Sequence, residues 1–518
     1  MIDYNILSPD DFSVLTKRPL EKVLSENEIQ KLEKIYYNYD YYSGKQHKDA
    51  MGRLVRGEDM DRPNGYDYDP AQFDTNYFKA FIKRKSRWQM AGDHGIEVIP
   101  DNEENQAEID AAQEHEKLLH QLWKDNKMAA KKMSLARDRL IGGSVAVKLA
   151  YNNRNGKLHW VWHKAYEVFP IYSEDGFDEM LGADIIIPKD DPVNEGRTLY
   201  YVQHFRLNES DLCTIEEVVY TEEMKVKETL VPETSLGINF VPIVMFDVDS
   251  TNQDGEYFDD LKDMESLTNQ LNDMMEDASD SLAFEMFGIT VVRNAQEGTA
   301  EKLQVAPGAV VEINSRDEGI SADMKTLENG FKWKEAYKDQ YNRIKSALHE
   351  LSGLPQIVPQ ELNFGGMNDR ALQVLYQDII QETQEHWLSW NEGFTELFDK
   401  SLGYLKARSH TPNFSYDKSL VNTATNRETR INFVLPLPDD REQLVELITK
   451  EVEGGFESHV GGMKRLGVVN TDKKIAEIEE DTARRRALED PYNRTREVGG
   501  SPPGNTEPTS NKEPPTGG

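Results

Sequence analysis

An unusually long amphipathic pattern runs from Arg370 to Lys406. Leu372, Leu375, Tyr376, Ile379, Ile380, Thr383, Trp387, Trp390, Phe394, Leu397, Phe398, Leu402 and Leu405 recur at three- and four-residue steps. As one helix, residues 370–406 would span roughly 55 Å at 1.5 Å per residue. Few globular domains need a helix of that length, so it constrains the rest of the chain as a spine to which other parts attach. Just before it, Leu351-Ser352-Gly353-Leu354-Pro355 has the chemistry of a helix end: Gly suits the left-handed cap and Pro cannot continue the helix. Between the two lies a polar stretch, Gln356 to Asp369, with Pro359 and Gly365-Gly366. It is longer than an ordinary connection.

A chain of 518 residues exceeds one core, so two to four domains are expected. The spacing predicts helices from Ser25 to Tyr42, from Asp74 to Gly92 and from Glu103 to Leu140. Short strands follow at 144–151, 157–163, 168–172, 183–187, 198–207, 212–221 and 240–246. Asn152-Asn153-Arg154-Asn155-Gly156 is the turn between the first two. Helices then strands make an α+β pattern. A helix from Phe258 to Phe287 has one apolar face and an acidic remainder: nine carboxylates from Asp259 to Glu285 against one Lys262. Short strands at 289–292 and 309–313 form a small insert. A helix at 328–351 follows, with Trp333, Tyr337, Tyr341, Ile344 and Leu348 on one face. After the spine come a strand at 430–435, a helix from Asp439 or Asp440, and a charged helix to about Leu488. The Pro-, Gly- and Ser-rich residues 491–518 are expected to be disordered.

The charge balance, 60 basic against 93 acidic residues, argues against gripping nucleic acid by phosphate neutralisation. The basic run Lys79, Lys83, Arg84, Lys85, Arg87 is better read as a solvated or inter-subunit ion-pair face than as a DNA contact. Lys334, Lys338 and Lys345 fall within roughly 40° of one another on their helix, beside its apolar stripe. Read from the residues alone, they snorkel beside the stripe or pair with the acidic helix of a neighbouring copy. Cys213 is the sole cysteine, which excludes disulfide frameworks and cysteine-rich zinc sites. The N-terminus lacks a signal-peptide pattern, and no apolar run is long enough to span a membrane.

Nucleotide-binding and metalloprotease motifs are missing. Gly142-Gly143-Ser144 is not a phosphate loop, His349-Glu350 is followed by Leu351-Ser352, and a calcium-loop register starting at Ser250 puts Leu261 where a carboxylate belongs. The sequence therefore assigns no catalytic residue, no metal and no cofactor, and an enzyme is not expected.

Leu351-Ser352-Gly353-Leu354-Pro355, then Asn363-Phe364-Gly365-Gly366-Met367-Asn368 and the long helix, resembles the portal proteins of long-tailed phages. Tyr41-Tyr42-Ser43-Gly44-Lys45, Asn76 to Gly92, Gly142-Gly143-Ser144-Val145-Ala146, Ile431 to Pro438 and Leu466-Gly467-Val468-Val469 are similar to further family segments. The resemblance implies an α+β portal fold with helical stem, small β-containing clip, α/β wing with a long spine helix, and helical crown. It places the N-terminal arm and wing at 1–257, the first stem helix at 258–288 and the clip at 289–327. The second stem helix falls at 328–355, a tunnel loop at 356–369, the spine and last wing strand at 370–435, the crown at 436–490 and the tail at 491–518. The implied function is a head-to-tail connector ring, usually of twelve subunits, at one capsid vertex of the virion, assembled in the host cytoplasm. Double-stranded DNA passes through it in packaging and ejection, without sequence specificity. Implied partners are further copies of the chain, the terminase large subunit, the major capsid or scaffolding protein and a head–tail adaptor, with no membrane. Gln360, Asn363, Gly365, Gly366, Asn368 and Arg370 would form the tunnel loop, with Lys334, Lys338 and Lys345 beside the channel. The alternative is another ring-forming head–tail connector or capsid scaffold component, which a missing clip insert would favour.

Overall fold

The computed structural model describes residues 26–45, 71, 73–92, 94–102, 104–173, 179–194, 196–222, 225–248, 259–287, 289–294, 315–316, 321, 323–327, 333–356, 374–424, 427–436, 441–466, 468 and 471–489. The chain divides into two compact units, Met1–Pro436 and Leu437–Gly518.

In the first unit, helices α1 (Glu26–Ser43) and α2 (Tyr77–Met90) precede a short strand, β1 (Gly95–Val98). The single helix expected over 103–140 is two, α3 (Gln106–Asp125) and α4 (Met128–Gly142). They break where Lys127 takes a left-handed φ of 55°. The cause is tertiary. The Asn126 side chain donates to the Leu122 and Leu158 carbonyls and accepts from the Trp160 amide at 2.7 Å, tying the break to a strand.

Strands β2 (Ser144–Asn152) and β3 (Lys157–Lys164) form the expected hairpin. Gly156 turns it at φ +66°, and a Cβ there would meet the Asn413 carbonyl oxygen at 1.5 Å. Strands β4 (Val168–Tyr172), β5 (Met180–Asp190), β6 (Thr198–Leu207), β7 (Cys213–Thr221) and β8 (Val226–Ser235) make a five-stranded antiparallel sheet in that order. β9 (Ile243–Asp247) joins β2 on the side away from β3. Three strands among the described residues escaped the sequence reading, two of them here and one at 323–327. β1 is short, and β8 (VKETLVPETS) is a nearly wholly exposed edge strand with no apolar alternation to mark it. Its Pro232 sits where an edge strand tolerates a missing donor.

Helix α5 (Asp259–Phe287) leads into β10 (Ile289–Arg293). β10 pairs antiparallel with β11 (Asp323–Leu327), Val291 opposite Lys325. The strand expected at 309–313 lies outside the described residues. Helix α6 (Trp333–Leu351) follows, then the spine, α7 (Gln377–Arg408), with 32 residues in one helix. Its Trp390, Phe394, Leu397, Phe398, Leu402 and Leu405 are buried. Each such side chain contributes about 1.5–3 kcal/mol on burial. Gly393 and Gly403 let it approach closely: a Cβ at Gly393 would sit 2.5 Å from the Phe246 ring, and one at Gly403 2.9 Å from Phe240. Helix α8 (Lys418–Thr423) and strand β12 (Thr429–Asn432), paired with β1, complete this unit.

The second unit holds α9 (Arg441–Glu453), α10 (His459–Arg465) and α11 (Thr471–Glu489). Arg465 pairs with Glu451, and with Glu457 at 3.6 Å. A Cβ on Gly462 would lie 2.7 Å from Ile448, so these helices pack closely.

Candidate functional site

The described residues that precede 357 and those that follow 373 both pack on helix α2. Its buried face is Phe78, Phe81, Ile82, Ser86, Gln89 and Met90, and Asn76 caps its start by accepting from the Lys79 amide at 2.8 Å. On the outgoing side, α6 ends in the sequence-predicted turn, with Gly353 at φ +65°. The His349 ring lies 5.4 Å from Phe81, and its Nδ1–H donates to the Leu354 carbonyl at 3.0 Å. Leu354 and Ser352 are buried. Burial holds His349 below the ordinary histidine value. The Leu354 carbonyl opposes that, and the nearby Arg84 and Lys345 cations add to it.

On the returning side, Tyr376 packs on Trp88 with ring centres 5.1 Å apart. Glu382 accepts from Lys85 at 2.7 Å, and His386 lies 3.5 Å from the same carboxylate. Burial alone would raise Glu382, but His386 and Lys85 together outweigh it and hold the carboxyl below its usual value. One turn on, the Trp387 indole donates to the Gln89 backbone carbonyl at 2.9 Å and the Trp390 indole to the Gln89 side chain at 3.3 Å. The chain thus leaves α2 at Phe81 and returns to it at Lys85, Trp88 and Gln89.

A second set of contacts runs along α5. The backbone amides of Thr75, Phe73 and Ala71 donate to the side chains of Asn272, Glu276 and Asp280 at 3.0, 3.0 and 2.8 Å. Every second residue of an extended segment meets every fourth residue of a helix, two repeats that both advance about 6–7 Å. Higher on the same helix, Glu265 accepts from Tyr37, and Asn269 from Tyr41 at 3.2 Å. The acidic side of this helix is in this part the anchorage of the chain that leads into α2.

The sequence-predicted residues divide. Lys334 and Lys338 are exposed on α6 without an ion-pair partner among the described residues, and Lys345 is half-buried at the other end of the helix, by His349 and Arg84. They are spread along α6 rather than gathered at one point. Gln360, Asn363, Gly365, Gly366, Asn368 and Arg370 lie outside the described residues. Within the basic run of α2, Lys85 is turned inward to Glu382 and Lys79 sits over the Tyr42 ring at 5.5 Å. Lys83, Arg84 and Arg87 stay exposed. The anchoring roles of Phe81, Lys85, Trp88 and Gln89 carried no sequence signal beyond an amphipathic pattern. Among the described residues no group of three or more His, Cys, Asp or Glu side chains is placed to hold a metal ion, and no helix is long and apolar enough to cross a membrane.

A family model described as phage portal protein, SPP1 Gp6-like, matches residues 21–486. The chain belongs to this portal family. Its mixed helix-and-sheet architecture is an α+β portal fold, and the family is structural, a virion component with a portal or connector role. In this portal protein, both helices that border segment 357–373 are thus secured to one short helix. Among solved structures, a chain described as "Neck of empty GTA particle computed with C6 symmetry" aligns over 75% of this chain and 89% of its own, at 13% identity and a TM-score of 0.39. A search of curated proteins gives no match.

Proposed function

We propose that copies of this chain, twelve by family resemblance, close into a ring at one capsid vertex. Double-stranded DNA enters through the ring's channel during packaging and leaves through it on ejection. The family match over 21–486 is the observation that carries this reading. Helices α5 and α6 are the stem. The insert 289–327 is the clip that meets the terminase motor and later the head–tail adaptors; the β10–β11 pairing, which brings its two ends together, supports that assignment. Residues 1–257 and 370–435 are the wing, 436–490 the crown, and 491–518 a tail.

Segment 356–369 is the tunnel loop. The anchoring of both neighbouring helices on α2 supports this: shape change is confined to the part between fixed ends. Gly365-Gly366 supplies the backbone freedom, and Gln360, Asn363 and Asn368 supply uncharged polar groups that make and break hydrogen bonds with passing phosphates. Arg370 stands at its margin. Lys334 and Lys338, exposed and without an ion-pair partner among the described residues, line the DNA path, with Lys345 at the root of the loop.

Proline at Gly365 or Gly366 tests the loop. The expected result is rings of normal size in mass photometry together with impaired DNA translocation or retention in a packaging assay. Proline variants that package and retain full-length DNA like wild type would remove the moving loop.

A further inference from the structure

Two faces of the unit Met1–Pro436 carry charge that no ion pair among the described residues neutralises. One is the outer side of α2, opposite its buried Phe78, Phe81 and Gln89. Lys83, Arg84 and Arg87 are exposed there, and none of their side chains has an ion-pair or hydrogen-bond partner among the described residues. In a chain where acids outnumber bases 93 to 60, three cations within five residues left without a carboxylate stand out. Leu351, 49% exposed, ends the neighbouring α6.

The other is the outer side of α7. Asp378, Glu385 and Glu392 follow at seven-residue steps, so they fall within about 40° of one another along roughly 20 Å of helix. All three are exposed without ion-pair partners among the described residues. Leu388, 68% exposed, sits beside them on a helix that otherwise buries its large apolar side chains along most of its length. Along their helices Glu385 and Glu392 lie about 10 Å apart and Lys83 and Arg87 roughly 6 Å apart, a difference that long Lys, Arg and Glu side chains span.

Resting on the ring reading above, we infer that the Lys83, Arg84 and Arg87 face of one copy docks on the Asp378, Glu385 and Glu392 face of the next. The two faces are unlike and lie on one chain, which is the arrangement a head-to-tail closed ring requires. Opposite charge would set the register, and Leu388 and Leu351 supply apolar surface that a nucleic-acid backbone has no means to cover. The acidic face itself would repel phosphate.

Charge reversal with restoration tests it. Arg84→Glu with Arg87→Glu should lower the ring fraction about tenfold at fixed protein concentration, a loss of about 1.4 kcal/mol in assembly. Glu385→Lys with Glu392→Lys should do the same. The protein carrying all four changes should recover to within about threefold of wild type. Circular dichroism on each variant separates misfolding from lost assembly, and the four-change protein reports on the pairing itself. The inference is overturned if either double variant assembles like wild type, or if the four changes together do no better than the pairs. Rings that persist in Arg84→Glu/Arg87→Glu but lose DNA retention would overturn it in favour of a DNA contact. Wild-type protein that never assembles would strike the ring reading itself, and this interface would fall with it.

Discussion

Asp184 has no exposed surface, yet it is a carboxylate in the middle of the five-stranded sheet. It is satisfied by Arg206 at 2.8 and 3.0 Å and by His204 Nδ1 at 2.6 Å, both from the adjacent strand β6. Removing one member of such a group leaves buried charge uncompensated, so Asp184→Ala should cost about 3–5 kcal/mol in denaturant melts. A loss under 1 kcal/mol, on the order of an exposed pair, would show that water reaches the cluster. His115 is the opposite case: 2% exposed, with neither ring nitrogen hydrogen-bonded among the described residues. Burial, with Arg427 and Lys406 nearby, lowers it from 6.5 to about 4. The unfolded chain therefore takes up this proton first. The stability is complete above pH 6.5, is lost as pH falls from there toward 4, and levels off below. His115→Leu should shrink the stability difference between pH 7.5 and pH 5; equal acid sensitivity in mutant and wild type would mean other groups dominate. Residues like these cannot be recognised in a sequence. A buried and a solvated aspartate are the same letter, whereas Gly156 and Gly353 were legible because turn and cap chemistry is local.

At the scale of elements, the helices with strong periodicity and the strands with apolar alternation were readable, and the failures have stated causes. β8 has no alternation because both its faces are exposed, and the α3–α4 break has no Gly or Pro because Asn126 makes it through contacts to β3. The strapping of residues 71–75 along α5 pairs positions 197 to 209 apart, beyond any local signal. Glu276→Ala should remove the middle rung. We expect about 1–2 kcal/mol less local stability, seen as faster amide exchange at Phe73 and its neighbours, with exchange in α7 unchanged. Unchanged exchange at Phe73 would mean that the strap does not depend on this carboxylate. Gly393 makes a different point. In most helices Gly→Ala is stabilising. Here the added methyl meets Phe246 at 2.5 Å, so Gly393→Ala should instead destabilise by about 1–3 kcal/mol. A raised melting temperature would show that the sheet shifts freely to accommodate it.

For the whole molecule, α+β class and portal architecture were legible because short segments around a helix end, a Gly-Asn stretch and a long helix occur in a fixed order. Of the candidate site, the helix end at Leu351–Pro355 and the long helix after it were legible, but their anchorage on α2 was not, since it depends on where two distant helices meet. Lys334→Glu with Lys338→Glu should leave ring size unchanged and alter packaging velocity or DNA retention; loss of the ring instead would place these lysines between copies. The anchorage on α2 also bears on how such a chain can vary. When the two ends of a connection are clamped to the same rigid support, its length is nearly decoupled from the stability of everything else: doubling it costs only about 0.6 kcal/mol in closure entropy. Residues can then be inserted or deleted between Gln356 and Val374 without touching a packed contact named above. If the proposed tunnel-loop role of 356–369 holds, the bore of the assembled particle becomes a quantity set by residue count, adjustable by lineage or by design while the scaffold stays constant.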